Sequence, residues 1–397
     1  MENTFAFPGR DMLVPDIVKS QNCILIDVDG NQYIDLEAGV WCTSIGHANQ
    51  AVRSAVMAQM DCISHVGFCY SSGVVERAAG AVLDLIDHSG GRCSFLCSGS
   101  ESVEYGVRVL RSLLKSKRIM TMSDSYFGAY GDASVKDSAQ WYLFDWESCG
   151  KCDQDKCSNE CPVYSEIPFD EVGAFLFEPG SSSGMVRFPP SKLINCIVED
   201  VAATDGLVMV NEVTTGVGRT GKWFGFQHYE MQPDIVAMGK GIGNGYPVSA
   251  VSLNRRVVDL LGPEAIAYGQ SHLNDPLGAA VVEAVIGEIN AHNLIQHAEV
   301  LSDVLMDGLQ RVAAGSQLIE CVRGRGLMAI LVMADHIDVS KVAELHRRLI
   351  SRGFIVDHRL GTNALRMHPA LTIGVEDIYN FIAVLEEVVG AMEIELG

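Results

Sequence analysis

From about residue 49 the chain alternates between stretches with apolar residues at helical spacing and short runs that are almost wholly apolar. AVRSAVMAQM (51–60), VVERAAGAVLDLI (74–86) and KLINCIVEDVAAT (192–204) carry the helical pattern, and a long helix is expected from about Glu101. The apolar runs are CSFLC (93–97), RIMTM (118–122), VGAFLF (172–177), GLVMV (206–210), DIVAM (234–238) and VSAVSL (248–253). Runs of this kind, bounded by Gly, Pro or polar residues, predict strands buried on both faces, hence a mainly parallel sheet covered by helices. Ahead of them, ILIDVDGNQYIDL (24–36) alternates apolar and polar around Asp29-Gly30, which predicts a hairpin. Behind them come predicted helices over 276–291 and 294–314, and then the pattern changes. Strands over 318–322 and 327–333, a helix over 340–351, strands over 353–357 and 364–367 and a terminal helix predict a smaller α+β unit. The expected division is 1–50, 51–294 and 295–397, with the first and last parts forming the small domain.

An open parallel sheet binds ligands beyond the carboxyl ends of its strands, so polar residues just past each run are the candidates. Ser98-Gly99-Ser100 follows CSFLC and opens a helix, where free N–H groups and the helix dipole suit an anion. An ordinary helix cap is the alternative there. Gly239-Lys240-Gly241 follows DIVAM. An ammonium at a buried strand end loses water, which lowers its pKa as a Schiff-base lysine requires; a lysine snorkelling from a flexible loop is the plainer reading. Asn211-Glu212-Val213 ends GLVMV and leads into the glycine-rich loop TTGVGRTG. No GxGxxG opens a βαβ unit nearby, which argues against a nicotinamide enzyme. Together the three describe a site for a phosphorylated aldehyde.

Composition narrows the picture. Across 397 residues, 29 Lys and Arg face 50 Asp and Glu, a formal net charge of −21. That disfavours nucleic acid and anionic membranes as partners. Hydrophobic content of 48% excludes a disordered chain. No apolar run approaches the roughly 18–20 residues of a membrane span, and the first twenty residues lack a secretory pattern. A cytoplasmic protein is expected. Of twelve cysteines, Cys149, Cys152, Cys157 and Cys161 fall within thirteen residues, as C-x2-C-x4-C-x3-C. This spacing suits a tetrahedral zinc site. An iron–sulfur cluster and a thiol-rich loop that binds nothing are the alternatives.

NEVTTGVGRTGKWFGF (211–226) with PDIVAMGKGIGNGYPVSAV (233–251) resembles the signature of the class III, pyridoxal-phosphate-dependent aminotransferases. GVWCTSIGHAN (39–49), LCSGSESVE (96–104), SYFG (125–128), FEPGSSSG (177–184) and ALRMHPAL (364–371) extend the resemblance over nearly the whole chain. It implies an α/β, fold type I transferase: a large domain with a mainly parallel seven-stranded sheet, and a small α+β domain built from both termini. The activity implied is transfer of an amino group from an amino donor to a 2-oxo acid, with pyridoxal 5'-phosphate joined to Lys240 as a Schiff base. Gly99 and Ser100 would hold the phosphate, Tyr126 would stack on the pyridine ring and Val213 would pack on its other face. Ser271 matches a family Thr that reaches the phosphate from the neighbouring subunit, which implies a homodimer with a shared active site. Trp41 would line the substrate pocket and Arg366 would pair a substrate carboxylate.

The chain departs from the family at position 211, where Asn replaces the Asp that keeps the pyridine nitrogen protonated. A weaker electron sink favours returning a proton to the carbon it left, so a racemase or epimerase is the alternative activity; Glu178 is a candidate compensating acid. A third reading is a weakly catalytic cofactor-binding protein whose cysteine loop binds metal and mediates an interaction. Thr214, Phe127, Ala129 and Ser181 also stand where other residues are usual.

Overall fold

The apolar runs form strands because each residue along them meets a covered surface. The computed structural model describes residues 3–5, 12–114, 116–181, 184–262 and 266–396; Ser182 and Ser183 of the 177–184 motif lie outside these. Two units emerge, Gln50–Asn293, and Met1–Asn49 together with Leu294–Gly397.

The larger unit carries seven strands: β1 (Arg92–Leu96), β2 (Arg118–Met122), β3 (Trp141–Phe144), β4 (Val172–Phe177), β5 (Leu207–Asn211), β6 (Ile235–Met238) and β7 (Ser249–Leu253). They form one sheet in the order β1-β7-β6-β5-β4-β2-β3. The pairs from β6 through to β3 are parallel, whereas β7 runs antiparallel to both β1 and β6. Every residue of β4, β5, β6 and β7 is buried. From Ala174 to Phe177, alternate side chains of β4 enter different clusters: Ala174 and Leu176 one, Phe175 and Phe177 the other. A period of two with no polar positions therefore means two covered faces. Each fully buried Phe contributes about 1.5–3 kcal/mol relative to exposure.

Edge strand β3 is not foreshadowed in the pattern. It has only four residues, WYLF, and two of them stay partly or fully exposed. Its anchor is Trp141, whose Nε1 donates to Asp132 Oδ1 at 2.8 Å.

In the smaller unit the hairpin strands Ile24–Asp27 and Gln32–Asp35 gain an outer strand, Ile17–Gln21, and a parallel neighbour, Phe354–Ile355. The latter occupies two residues of the predicted 353–357. The chain leaves the sheet there because the Asp357 and Arg366 backbones bond to each other instead, at 2.8 and 3.0 Å. Strands Ile319–Gly324, Ala329–Met333 and Ala364–Met367 form a second, antiparallel sheet. Helices Leu294–Ala314, Val339–Ser351 and Val375–Leu396 complete this unit. Among the described residues no helix is long and apolar enough to cross a membrane.

One turn of this unit is left-handed. Ala38, Gly39, Val40 and Trp41 have φ of 46°, 53°, 60° and 70°. Trp41 N–H and Cys42 N–H still donate to Glu37 and Ala38 carbonyls at 2.9 and 2.8 Å. Left-handed backbone costs L-residues roughly 1–2 kcal/mol each. Asp35, almost fully buried, offsets part of this by accepting from Glu37 N–H at 2.9 Å and Gly39 N–H at 3.0 Å. Val40 is β-branched and half exposed, so its strain is not returned by packing. Val40→Gly is expected to raise stability by about 0.5–1 kcal/mol, the relief of strain less the entropy of glycine. A melting temperature no higher than that of the parent protein contradicts this account.

Candidate active site

Three strand ends of the larger unit meet. A Cβ placed on Gly239, just after β6, would stand 2.9 Å from Gly99 Cα and 3.3 Å from Val213 Cγ1. A Cβ on Gly99, just after β1, would stand 2.6 Å from Val213 Cγ1. Only glycine allows this approach. Ser102, one turn into the helix Gly99–Leu114, ties the same ends by donating to the Met238 carbonyl at 2.9 Å.

Lys240 follows directly, as the first residue of a short 3₁₀ turn, Lys240–Gly243. It is half-buried and its φ is 47°. A left-handed conformation at a lysine between two glycines is strain at the residue that the sequence marks as reactive.

Ser98, rather than Ser100, caps the helix. Glu101 N–H donates to Ser98 Oγ at 3.3 Å, and Glu101 accepts from Cys97 N–H at 2.9 Å and Ser98 O–H at 3.2 Å. This capping interaction leaves Gly99 and Ser100 at the helix start, where N–H groups have no partner within the helix. Ser100 Oγ accepts from Ala129 N–H at 3.1 Å. Gly128, with φ of 123°, lets the loop pass so close that a Cβ there would stand 2.7 Å from that oxygen.

The same loop presents Tyr126, whose side chain is half exposed. Its N–H donates to buried Glu178 Oε2 at 2.9 Å, and its carbonyl accepts from Asn211 Nδ2 at 3.0 Å. Asn211 Oδ1 in turn accepts from Val213 N–H at 3.1 Å. Two backbone groups therefore fix the orientation of the Asn211 amide and leave it one N–H to offer. The Thr214 hydroxyl next along is buried and has no hydrogen-bond partner among the described residues.

Glu212 is the residue that sequence reasoning passed over as part of a connection. It is fully buried and accepts from Phe226 N–H at 2.7 Å, Gly225 N–H at 2.8 Å and Thr215 O–H at 2.7 Å. It thus closes the glycine-rich loop back onto β5. Desolvation pushes its carboxyl up to about 7 despite those donors. Its signal was an acidic residue flanked by an apolar strand and a glycine loop.

Other candidates lie elsewhere. Ser271 is exposed, at the start of a turn over 271–274. In the smaller unit, Trp41 is almost fully buried, its ring stacked on His368 at 3.5 Å between centroids. Arg366 is buried and paired with Asp357 at 2.6 Å, so its guanidinium already has a carboxylate.

The four cysteines of the C-x2-C-x4-C-x3-C segment lie on one loop of the larger unit. Cys149, Cys152, Cys157 and Cys161 do not bring three sulfurs within 4.8 Å of one another; among the described residues only His65, His272 and Asp275 form such a group. Instead Cys149, Cys157 and Cys161 pack against a cluster that holds Trp146, Tyr164 and Cys196. Lys192 donates to the Cys152 and Gln154 carbonyls, and Cys196 Sγ to the Cys157 carbonyl at 3.8 Å, so the loop docks on helix Ser191–Ala203. Burial, and after it the neighbouring thiols of Cys196, Cys149 and Cys161, push the Cys157 thiol up to about 11.

A family model described as aminotransferase class-III matches residues 6–389. The leucine/methionine racemase of Thermococcus litoralis is 26% identical over 95% of this chain and 90% of its own length. The acetylornithine aminotransferase of Bacillus subtilis is also 26% identical, over 94% of each chain. Among solved structures, an S-selective transaminase from Arthrobacter sp. superposes with a TM-score of 0.87, at 20% identity over 99% of this chain and 96% of that one. The acetylornithine aminotransferase from Elizabethkingia anophelis gives 0.84 at 22% identity, over 98% and 96%.

The Glu212 carboxylate makes the architecture testable without a ligand. Its folded pKa of about 7 lies above the ordinary 4.5, so the stability it contributes is full below about 4.5 and is lost as pH rises through about 7. Glu212→Gln sets an amide N–H₂ against backbone donors, which costs about 1–3 kcal/mol. We expect a lower melting temperature at every pH for the variant, with a shallower decline between pH 5 and 8. An unchanged melting curve contradicts the role given to this residue.

Proposed function

Because the chain belongs to the class III aminotransferases, we propose that the three converging strand ends hold pyridoxal phosphate and that Lys240 carries the amino-group transfer. The enzyme is a pyridoxal-phosphate-dependent aminotransferase, acting on an amino donor and a 2-oxo acid. The observation that carries the residue assignment is the glycine contact between Gly239 and Gly99, which brings a lysine beside a helix N-terminus. The residues fit the cofactor. Its phosphate suits the first N–H groups of the helix at Gly99 and Ser100, and the unpartnered Thr214 hydroxyl suits a further oxygen. When bound, pyridoxal phosphate supplies an aldehyde that condenses with amines and a ring that takes up electrons from the substrate's Cα.

Lys240 Nζ serves first as the covalent anchor and then as the base that removes and redelivers the Cα proton. Its strained backbone, set between two glycines, lets the side chain exchange between these duties without repacking a core. Tyr126 and Val213 offer an aromatic and an aliphatic surface to a ring. Glu178 orients Tyr126 by accepting from its backbone N–H. Ser271 reaches the phosphate from a second copy of the chain, which makes the active species a homodimer. Arg366 recognises a substrate carboxylate and shares its guanidinium with Asp357.

Asn211 defines how this member differs. With Oδ1 given to Val213 N–H and one N–H to the Tyr126 carbonyl, the amide offers a neutral donor. A pyridine nitrogen facing a neutral donor stays unprotonated, because no carboxylate pays for the positive charge. This favours racemisation as the second reading, and the racemase relative adds to it.

Lys240→Ala is expected to lower transfer from a panel of ornithine, N-acetylornithine, leucine and methionine to pyruvate or 2-oxoglutarate by roughly 100- to 10,000-fold. It also removes the covalent cofactor absorption. Transfer that survives the substitution rejects the assignment. Solvent deuterium entering Cα with loss of chirality, in the absence of any acceptor, decides for racemisation. With ¹⁵N-labelled cofactor, the ring nitrogen is expected to resonate as unprotonated in the parent protein and to move to the protonated range in Asn211→Asp. The same protonated shift in both refutes the role given to Asn211.

A further inference from the structure

The His65, His272 and Asp275 cluster lies outside the residues used above. His65 sits in the connection between helices Gln50–Cys62 and Gly73–Ile86, and His272 in the turn over 271–274. Asp275 stands at the N-cap of helix Pro276–Ala291. An aspartate at that position ordinarily caps the helix with its own carboxylate. Here it makes no capping hydrogen bond. The carboxylate turns toward the two imidazoles instead: His272 Nδ1 lies 2.7 Å from Oδ2 and His65 Nδ1 lies 3.5 Å from Oδ1.

We propose that His65, His272 and Asp275 bind one divalent cation of the borderline zinc or cobalt class. All three donor atoms lie within 4.8 Å of one another. Ligands about 2.1 Å from a tetrahedral ion stand about 3.4 Å apart, close to the 3.5 Å between His65 Nδ1 and Asp275 Oδ1, and an ion would replace the 2.7 Å hydrogen bond of His272 Nδ1 to Oδ2. Asp275 Oδ1 is buried and, among the described residues, has no hydrogen bond and only the His65 imidazole beside it at 3.5 Å, which leaves it capacity for a cation. Both histidine rings are partly exposed, and their centroids lie 5.0 Å apart, so an ion has a path in. Two imidazoles and one carboxylate suit zinc, cobalt or nickel and not calcium or magnesium, which take oxygen ligands.

The site is built on a fixed frame. Phe95 N–H donates to Asn274 Oδ1 at 2.8 Å and Asn274 N–H to the Phe95 carbonyl at 2.9 Å, which locks the turn to β1. Proline at 276 restricts the chain immediately after the aspartate. Three protein ligands leave a fourth position for water. His272 and Asp275 also line a cavity of about 140 Å³ with Cys97 and Tyr246, where that water has room. A bound ion would hold rigid the turn that presents Ser271.

Twelve cysteines could also take up metal, so the test separates the two sources. Chelator-treated protein is titrated with Co²⁺ and followed by visible absorption and calorimetry. The expected result is one ion per chain, ligand-field bands without sulfur charge transfer, and a Kd that rises at least about tenfold in His65→Ala, His272→Ala and Asp275→Asn. A variant with Cys149, Cys152, Cys157 and Cys161 all changed to Ser should bind as the parent does. Asp275→Asn preserves shape, and an unchanged melting temperature in metal-free buffer separates ligand loss from misfolding. No Co²⁺ uptake, a thiolate spectrum, or binding indifferent to the three substitutions each overturns the proposal.

Discussion

The contact between Gly99 and Gly239 is the constraint from which the site follows. β7 lies between β1 and β6 in the sheet, yet the chain leaving β1 and the chain leaving β6 meet at backbone distance, with Val213 filling the remaining space. Any side chain at either glycine would have to displace backbone or a branched Val, neither of which yields cheaply. The contact sets the depth of the helix start at Gly99 and the direction in which Lys240 leaves its strand. Ser102 then supplies the hydrogen bond that keeps the helix from sliding along β6. Anion-binding groups and a reactive amine come together because two strand ends have no side chains, not because the two attract each other.

The parallel sheet was legible because burial on both faces leaves a simple trace, a short run that is almost wholly apolar. Six of its seven strands carry that trace. β3 does not, because an edge strand with one solvent-facing side needs no continuous apolar run. Ile17–Gln21 escaped for a similar reason: it is exposed along most of its length and exists as a partner to its neighbour. Among the site candidates, Gly99 and Lys240 follow strand ends and Asn211 closes β5, positions that the apolar runs mark. Glu212 could not be read in this way, since its importance lies in three donors from residues 215 to 226 that only the folded loop brings to it. In the cysteine loop, spacing encodes reach and not direction, and the aromatic cluster on which Cys149, Cys157 and Cys161 pack is not visible in it.

Asn211 acquires a local reason that the family comparison alone does not supply. Its amide bridges an N–H on one side and a carbonyl on the other, 3.1 and 3.0 Å away. A carboxylate can satisfy the N–H but would face the Tyr126 carbonyl acceptor to acceptor, a repulsive arrangement in a buried setting. The backbone of the Tyr126 loop and the residue at 211 are therefore matched. Changing the side chain at 211 therefore also perturbs the loop that presents Tyr126. Glu178 reinforces the match by holding Tyr126 N–H from the opposite side.

A net charge of −21 looks hostile to a phosphorylated cofactor and welcoming to cations, yet neither inference survives at the distances that matter. Screening at physiological salt reduces exposed charges to little beyond about 8 Å, so a binding site feels its own shell and not the total. At the helix start that shell is backbone N–H with the Ser100 hydroxyl. At His65, His272 and Asp275 it is two imidazoles and one carboxylate. The acidic surface sets which macromolecules are repelled from afar. The sign of the ion each pocket accepts is decided within a few ångströms, by which donors the fold has left without partners.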